Sequence, residues 1–261
     1  MRTLGLVVAR SFSADCIVLR KYRFGETHKG LVLATEGRGI LHAIAHGALR
    51  PGSRLASGTE PLTLSRGYFY HEPVKDSYKV TDVSVLSSFE TIKSDIVRLF
   101  TASLWIEVML KSLGGGEMDA SVFALLRDSL RGLDAAADAD LDGVDLQFLW
   151  RFLRLAGFLP DLGACSSCGA GAEDEEVMYH LASSRSLVCS SCAPRLGSSG
   201  TPMSPGARRY LAYTLGVPLE RAAAVRLAPP AARPLRRLTL ELVQSVLEAP
   251  LKTLEAGAGI L

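Results

Sequence analysis

Long apolar runs are missing from this sequence: none approaches the roughly 20 residues that a bilayer-spanning helix requires. The N-terminal apolar patch, Leu4 to Ala9, is shorter than a secretory signal core, and no small-residue cleavage site follows it. These absences predict a cytoplasmic chain that makes no membrane contact. Catalytic signatures are missing as well. No HExxH or GxSxG occurs, and His28, His42, His46, His71 and His180 are scattered. Gly114-Gly115-Gly116 lacks the GK[ST] ending of a phosphate loop and reads as a helix stop. The acidic cluster Asp134, Asp138, Asp140, Asp142 and Asp145 lacks the closing bidentate Glu of a calcium loop and reads as a disordered, solvated segment. The expectation is a chain that is not an enzyme.

Cysteine is scarce, with five in 261 residues, yet four of them form two CxxC pairs within 28 residues. A secreted disulfide framework would spread its cysteines, so this clustering points to metal or redox chemistry in a reducing compartment. The pattern Cys165-x2-Cys168-x20-Cys189-x2-Cys192 is a zinc-ribbon spacing. Four thiolates complete a tetrahedron and leave no open position, which predicts one structural Zn2+ rather than a catalytic one. A redox pair needs only one CxxC in a strand–helix setting, whereas an iron–sulfur cluster could use the same four cysteines. His180 lies between the pairs and reads as a packing or surface residue of the ribbon. Cys16, inside Cys16-Ile17-Val18-Leu19, reads as a small buried apolar residue.

The net charge of +2 conceals an uneven distribution. Residues 1–80 hold twelve Lys/Arg against six Asp/Glu, whereas residues 81–160 hold seven against twelve. A first third at +6 beside a middle at −5 suggests a polyanion partner for the N-terminal part.

That N-terminal part reads as β. Asp15–Tyr22, Leu31–Thr35, Ile40–Ala45, Pro61–Tyr70 and Ser77–Val85 are strand candidates separated by Gly/Pro/Ser-rich turns, and five short strands fit a small OB-type barrel. From Ser87 the apolar period becomes helical, through Phe89, Ile92, Ile96, Leu99, Leu104 and Val108. Further helices are expected over Val122–Leu133, Val144–Leu155, Pro205–Leu215 and Leu235–Leu247, with Ala222–Pro234 a low-complexity connection. The fold class is α+β multidomain. An OB-fold nucleic-acid-binding barrel (1–84) precedes an α-helical domain (85–261), with a four-cysteine zinc ribbon inserted at about 163–195.

The barrel segment His46-Gly47-Ala48-Leu49-Arg50-Pro51-Gly52-Ser53-Arg54 flanks an irregular loop with guanidinium groups suited to phosphate. Tyr68, Phe69, Tyr70 and Tyr78 lie on neighbouring strands, but strand alternation turns about half of such rings inward. One or two at most could therefore stack on bases. Arg38, Arg50 and Arg54 are the first DNA-contact candidates, followed by Lys21, Arg23, Lys29 and Arg66.

At these residues the sequence resembles the bacterial recombination mediator family RecO. The resemblance runs through Ile17-Val18-Leu19 with Tyr22 and Gly25-Glu26, then Gly37-Arg38-Gly39, then Gly47-Ala48-x-Arg50-Pro51-x-Ser53-Arg54 with Glu60-Pro61-Leu62. Phe152-Leu153-x-Leu155-x-Gly157-Phe158-x-Pro160-Asp161-Leu162 then runs into the first CxxC, as in zinc-bearing members. The resemblance implies binding of single- and double-stranded DNA, annealing of complementary strands and help in loading the RecA recombinase onto gapped DNA. It also implies RecR and the tail of single-strand binding protein as partners, RecF as a further one, and a place at the nucleoid.

There are departures. His46 stands where the family usually has Lys, the first thirteen residues look like an extension, and Ala222–Pro234 replaces a firmer helix. Two other classes stay open on the residues alone: a zinc-ribbon accessory factor whose barrel binds RNA, and a module that binds only protein.

Overall fold

The computed structural model of the chain describes residues 10–113, 119–172, 176–197 and 200–258. Five strands form its first part: β1 (Ser11–Phe24), β2 (His28–Thr35), β3 (Gly39–Ala45), β4 (Leu64–Glu72) and β5 (Ser77–Ser87). They close into a barrel in the order β1-β2-β3-β5-β4, with β3 and β5 parallel and the other pairs antiparallel. This is the OB arrangement. Alternate residues fill the interior: Cys16 and Val18, Leu31 and Leu33, Ala43 and Ala45, with Phe69 and Val80. The Phe69 ring takes the space a Cβ on Gly67 would fill, 2.5 Å from it, so the barrel is packed with side chains rather than hollow.

Two strand ends differ from expectation. β1 begins at Ser11, whose pairing with Tyr70, like that of Phe12 with Phe69, brings residues 11–13 into the sheet rather than into an extension. Residues 1–9 of that extension lie outside the described residues. β4 begins at Leu64 rather than Pro61, because Pro61 has no N–H for the ladder and Leu62 takes a left-handed φ of 55°. Leu62 N–H instead donates to Val18 O at 2.9 Å, beside the irregularity in β1 between Val18 and Arg20.

The helices that follow are α1 (Glu90–Ser94), α2 (Ile96–Leu113), α3 (Ala120–Ala135) and α4 (Leu141–Leu155). Strands β6 (Met178–Leu181), β7 (Ser186–Val188) and β8 (Thr201–Met203) come next. Helices α5 (Pro205–Thr214), α6 (Leu219–Ala223), α7 (Pro229–Leu247) and α8 (Lys252–Ala256) complete the chain. The chain divides into two compact units. One holds the barrel, α1 and the first half of α3; the other holds most of α2, the rest of α3 and everything after it. The expected stop at Gly114-Gly115-Gly116 lies outside the described residues.

In the second unit α4 is the central helix, buried from Val144 to Leu153. Its Phe148 ring stacks on Trp105 with centroids 4.5 Å apart. Both indoles are satisfied: Trp105 Nε1 donates to Asp145 Oδ1 at 2.8 Å and Trp150 Nε1 to Thr239 Oγ1 at 2.7 Å. Arg151 donates to the carbonyls of Thr214 (2.8 Å) and Val217 (2.6 Å), and Arg154 to that of Leu215 (2.6 Å). Thr214 and Leu215 stand at the C-terminal end of α5, where cations are favoured.

The acidic segment is a correction. Residues Asp138–Asp140 form a 3-10 turn leading directly into α4, so the cluster is ordered, not a solvated loop. Asp138 pairs with Arg98 (2.9 Å), Asp140 with Arg226 (2.8 Å) and Asp145 with Arg236 (3.5 Å). Burial raises the Asp145 carboxyl despite Arg236. Ala222–Pro234 is a second correction, since α7 already starts at Pro229. Pro229 and Pro230 occupy the first turn, where an N–H has no intrahelical partner to lose, and only Pro234 forfeits a helix bond.

Candidate nucleic-acid interface and metal centre

The cysteines converge as the spacing predicts. The Sγ atoms of Cys165, Cys168, Cys189 and Cys192 all lie within 4.8 Å of one another, and none is in a disulfide. A tetrahedron with zinc–sulfur bonds of about 2.3 Å has sulfur–sulfur edges of about 3.8 Å, so this donor set fits one metal ion. Each CxxC is a tight turn. Gly169 N–H donates to Cys165 O at 2.9 Å with Gly169 at φ +73°, and Cys192 N–H donates to Cys189 O at 3.1 Å. The Cys189 N–H also points at Cys165 Sγ (3.3 Å). Burial alone would raise the Cys165 thiol, but backbone N–H groups of Cys189, Cys168 and Ser167 outweigh it and bring it to about 6. The sheet β7-β6-β8 supports the second turn. His180 on β6 is buried and outside the thiol cluster, as a packing residue. Cys16 is buried in the barrel, and burial followed by the Asp15 charge pushes its thiol up to about 12.

The seven basic candidates do not form one group. Lys29 is 3% exposed and is used by the barrel itself. Its Nζ donates to Ala56 O (2.9 Å), Thr59 Oγ1 (2.9 Å) and Glu60 Oε1 (2.8 Å), so all three ammonium hydrogens are committed. Lys29 is thereby removed from the DNA-contact candidates. Lys21 pairs with the other oxygen of Glu60. Burial would raise the Glu60 carboxyl, but hydrogen bonds from Lys21 and Lys29 hold it below the usual carboxylate range. Arg23 clasps the β1–β2 turn through Gly25 O (3.1 Å) and Glu26 O (3.3 Å). Arg66 is engaged by Asp15 (3.0 Å) and Ser13 Oγ (3.2 Å).

Three guanidinium groups are left. Arg50 and Arg54 are exposed, and among the described residues neither side chain has a hydrogen-bond or ion-pair partner. Their loop is nevertheless anchored: Gly47 N–H donates to His28 Nδ1 (2.9 Å) and Leu49 N–H to Thr27 O (3.0 Å). Arg38 is exposed in the β2–β3 turn, its guanidinium 3.8 Å from the centroid of the Phe12 ring. β3 separates Arg38 from the Arg50 loop by about 20 Å at roughly 3.3 Å per residue, so the three do not share a patch. His46 is exposed with its ring edge-to-face on His28 (4.7 Å). Burial, His28 and Lys79 lower its pKa, which leaves it neutral at pH 7 and no substitute for a lysine there.

Of the proposed aromatics, Phe69 is in the core and Tyr78 packs against it, whereas Tyr68 is exposed. Three exposed residues of β1, Arg20, Tyr22 and Phe24, were not among the sequence candidates, although their strand neighbours Lys21 and Arg23 were. Their period-2 spacing was the available signal.

The profile described as "Recombination protein O C terminal" matches residues 93–255, and that described as "Recombination protein O N terminal" matches residues 10–89. The chain belongs to the RecO family. Among RecO relatives, the DNA repair protein RecO of Heliobacterium modesticaldum is 32% identical over 223 residues, 84% of this chain and 79% of that one. The RecO of an Anaeromyxobacter species is 30% identical over 222 residues, covering 84% and 85%. That of Symbiobacterium thermophilum is 27% identical over 245 residues, covering 94% and 95%. Membership supports a role in DNA repair. Among the described residues no helix is long and apolar enough to cross a membrane.

Proposed function

We propose that this chain is a non-enzymatic recombination mediator that binds single- and double-stranded DNA through its barrel and anneals complementary strands. The supporting observation is the pair of exposed guanidinium groups, Arg50 and Arg54, without a partner among the described residues, on an anchored loop of a barrel in a DNA repair family. Annealing requires no covalent step; it requires that two polyanions be neutralised enough to approach. Arg38 extends the contact along the barrel, and Lys21, Arg23 and Arg66, each already engaged by the chain, add field. Loading of RecA onto gapped DNA, at the nucleoid, follows from the family reading, with RecR and RecF as partners and the single-strand binding protein tail on the helical unit. The four thiolates hold one Zn2+, which cross-links the ribbon and offers no open coordination position.

Fluorescence annealing of complementary oligonucleotides tests the central part. The wild-type protein accelerates annealing at low salt and loses that effect as salt rises, whereas the Arg50/Arg54→Ala protein does so weakly. Equal annealing by both proteins contradicts the assignment. Preference for RNA over DNA of matched sequence would favour the accessory-factor reading instead.

A further inference from the structure

The outer face of β1, β2 and β3 carries an ordered set of side chains that phosphate binding does not use. Leu31, Leu33, Ala43 and Ala45 point into the barrel core, so alternation turns the intervening residues outward. The register then places three rows across the strands: Arg20–Val32–His42, Tyr22–Gly30–Ile44 and Phe24–His28. The His28–His46 ring contact shows that His46 adjoins the third row. Tyr22 is 44% exposed and Phe24 43% exposed, and Leu49 (43%) stands on the loop bonded to the β1–β2 turn.

Gly30 explains how Tyr22 is held. A Cβ on Gly30 would lie 2.2 Å from the Tyr22 ring, so the ring rests on bare β2 backbone where any other residue would displace it. One side of the ring is fixed while nearly half of the side chain stays in water. Burying two aromatic side chains is among the larger stabilising contributions available to a small barrel, yet these two are left open. The surrounding charge is positive: Arg20 is exposed without a partner among the described residues, and the Arg50 loop borders the third row.

We propose that Tyr22 and Phe24 are a base-stacking platform that selects unpaired nucleotides. Duplex bases are already stacked on each other and offer their edges, so open rings gain nothing from a duplex. Unpaired bases offer whole faces, and aromatic stacking on them is indifferent to sequence. The flanking guanidinium groups favour a polyanion over an apolar protein segment. This inference rests on DNA binding by the barrel. It adds that strand preference comes from the two rings, separately from the charge that sets affinity for any DNA.

The test compares full-length wild type with Tyr22→Leu/Phe24→Leu, using oligo(dT) and a mixed-sequence duplex as probes over a salt series. Leucine keeps apolar cover over Gly30 and removes the π face. Expected is a loss of about 10- to 100-fold in oligo(dT) affinity, with duplex affinity unchanged and log K–log salt lines that stay parallel. Equal loss on both probes, or no loss on either, overturns the platform while leaving DNA binding by the barrel intact. Wild type that binds neither probe overturns both readings. Tyr22→Trp supplies a direct signal, because Trp105 and Trp150 are fully buried. Its fluorescence should be quenched by oligo(dT) and not by duplex, and the reverse or no quenching contradicts stacking.

Discussion

Two sets of polar groups bear formal charge or thiolate chemistry in this molecule, and they face different ways. Lys29, Lys21, Arg23, Arg66 and the four cysteines direct their atoms at the chain itself. Arg50, Arg54 and Arg20 direct theirs at solvent. The difference teaches that the twelve Lys/Arg of the first 80 residues are not twelve free phosphate contacts. Glu60 engages two of those cations and Asp15 a third. Substitutions in the inward set should damage folding, and substitutions in the outward set should damage binding.

The largest expected effect is in the inward set. Cys165/Cys168→Ser should lose its metal and with it a large share of the ribbon's stability, since a structural zinc contributes about 10 kcal/mol or more of folding free energy. Metal analysis of wild type purified without added zinc should give about one equivalent, and the variant close to none. The barrel of the variant should still bind duplex DNA. A folded variant that has lost only its DNA binding would reverse the division.

Lys29→Ala comes next. Removing a buried ammonium leaves Thr59 and Ala56 O without their donor and Glu60 without one of its two cations, and should cost about 2–4 kcal/mol in urea unfolding. Arg50→Ala should change stability by less than about 0.5 kcal/mol. Similar stabilities for the two variants would dissolve the contrast.

A smaller effect is read in pH. The Glu60 carboxyl is held below its ordinary value of 4.5, so its contribution is present above that pH and is lost as pH falls through the lowered value. The stability difference between wild type and Glu60→Gln should therefore be constant from pH 7 to about pH 5 and close below 4.5. A difference that persists unchanged to pH 3 contradicts the clamp.

The legible parts of the sequence were those whose physics is local. Two CxxC turns specify their own geometry, and the short apolar runs around Ile17 and Leu33 and the alternation over Ile40–Ala45 mark strands whatever they pair with. The helical run from Phe89 was legible for the same reason. Less legible were residues whose role depends on distant chain. Lys29 looks like any surface lysine until closure of the barrel lays residues 56–60 over β2. Asp145 looked like one acid in a polar stretch, whereas its partners are Trp105 and Arg236. Arg38 and Arg50 are twelve positions apart in sequence and stand at opposite ends of β3. Prolines at 229 and 230 read as breakers in isolation, yet they start α7.

The salt dependence of duplex binding tests the division between inward and outward cations most directly. Arg50/Arg54→Ala should lower the log K–log salt slope by about 2, at roughly 0.9 per phosphate contact, with thermal unfolding unchanged. A variant with the wild-type slope and affinity would show that the open guanidinium groups are not where this protein meets DNA.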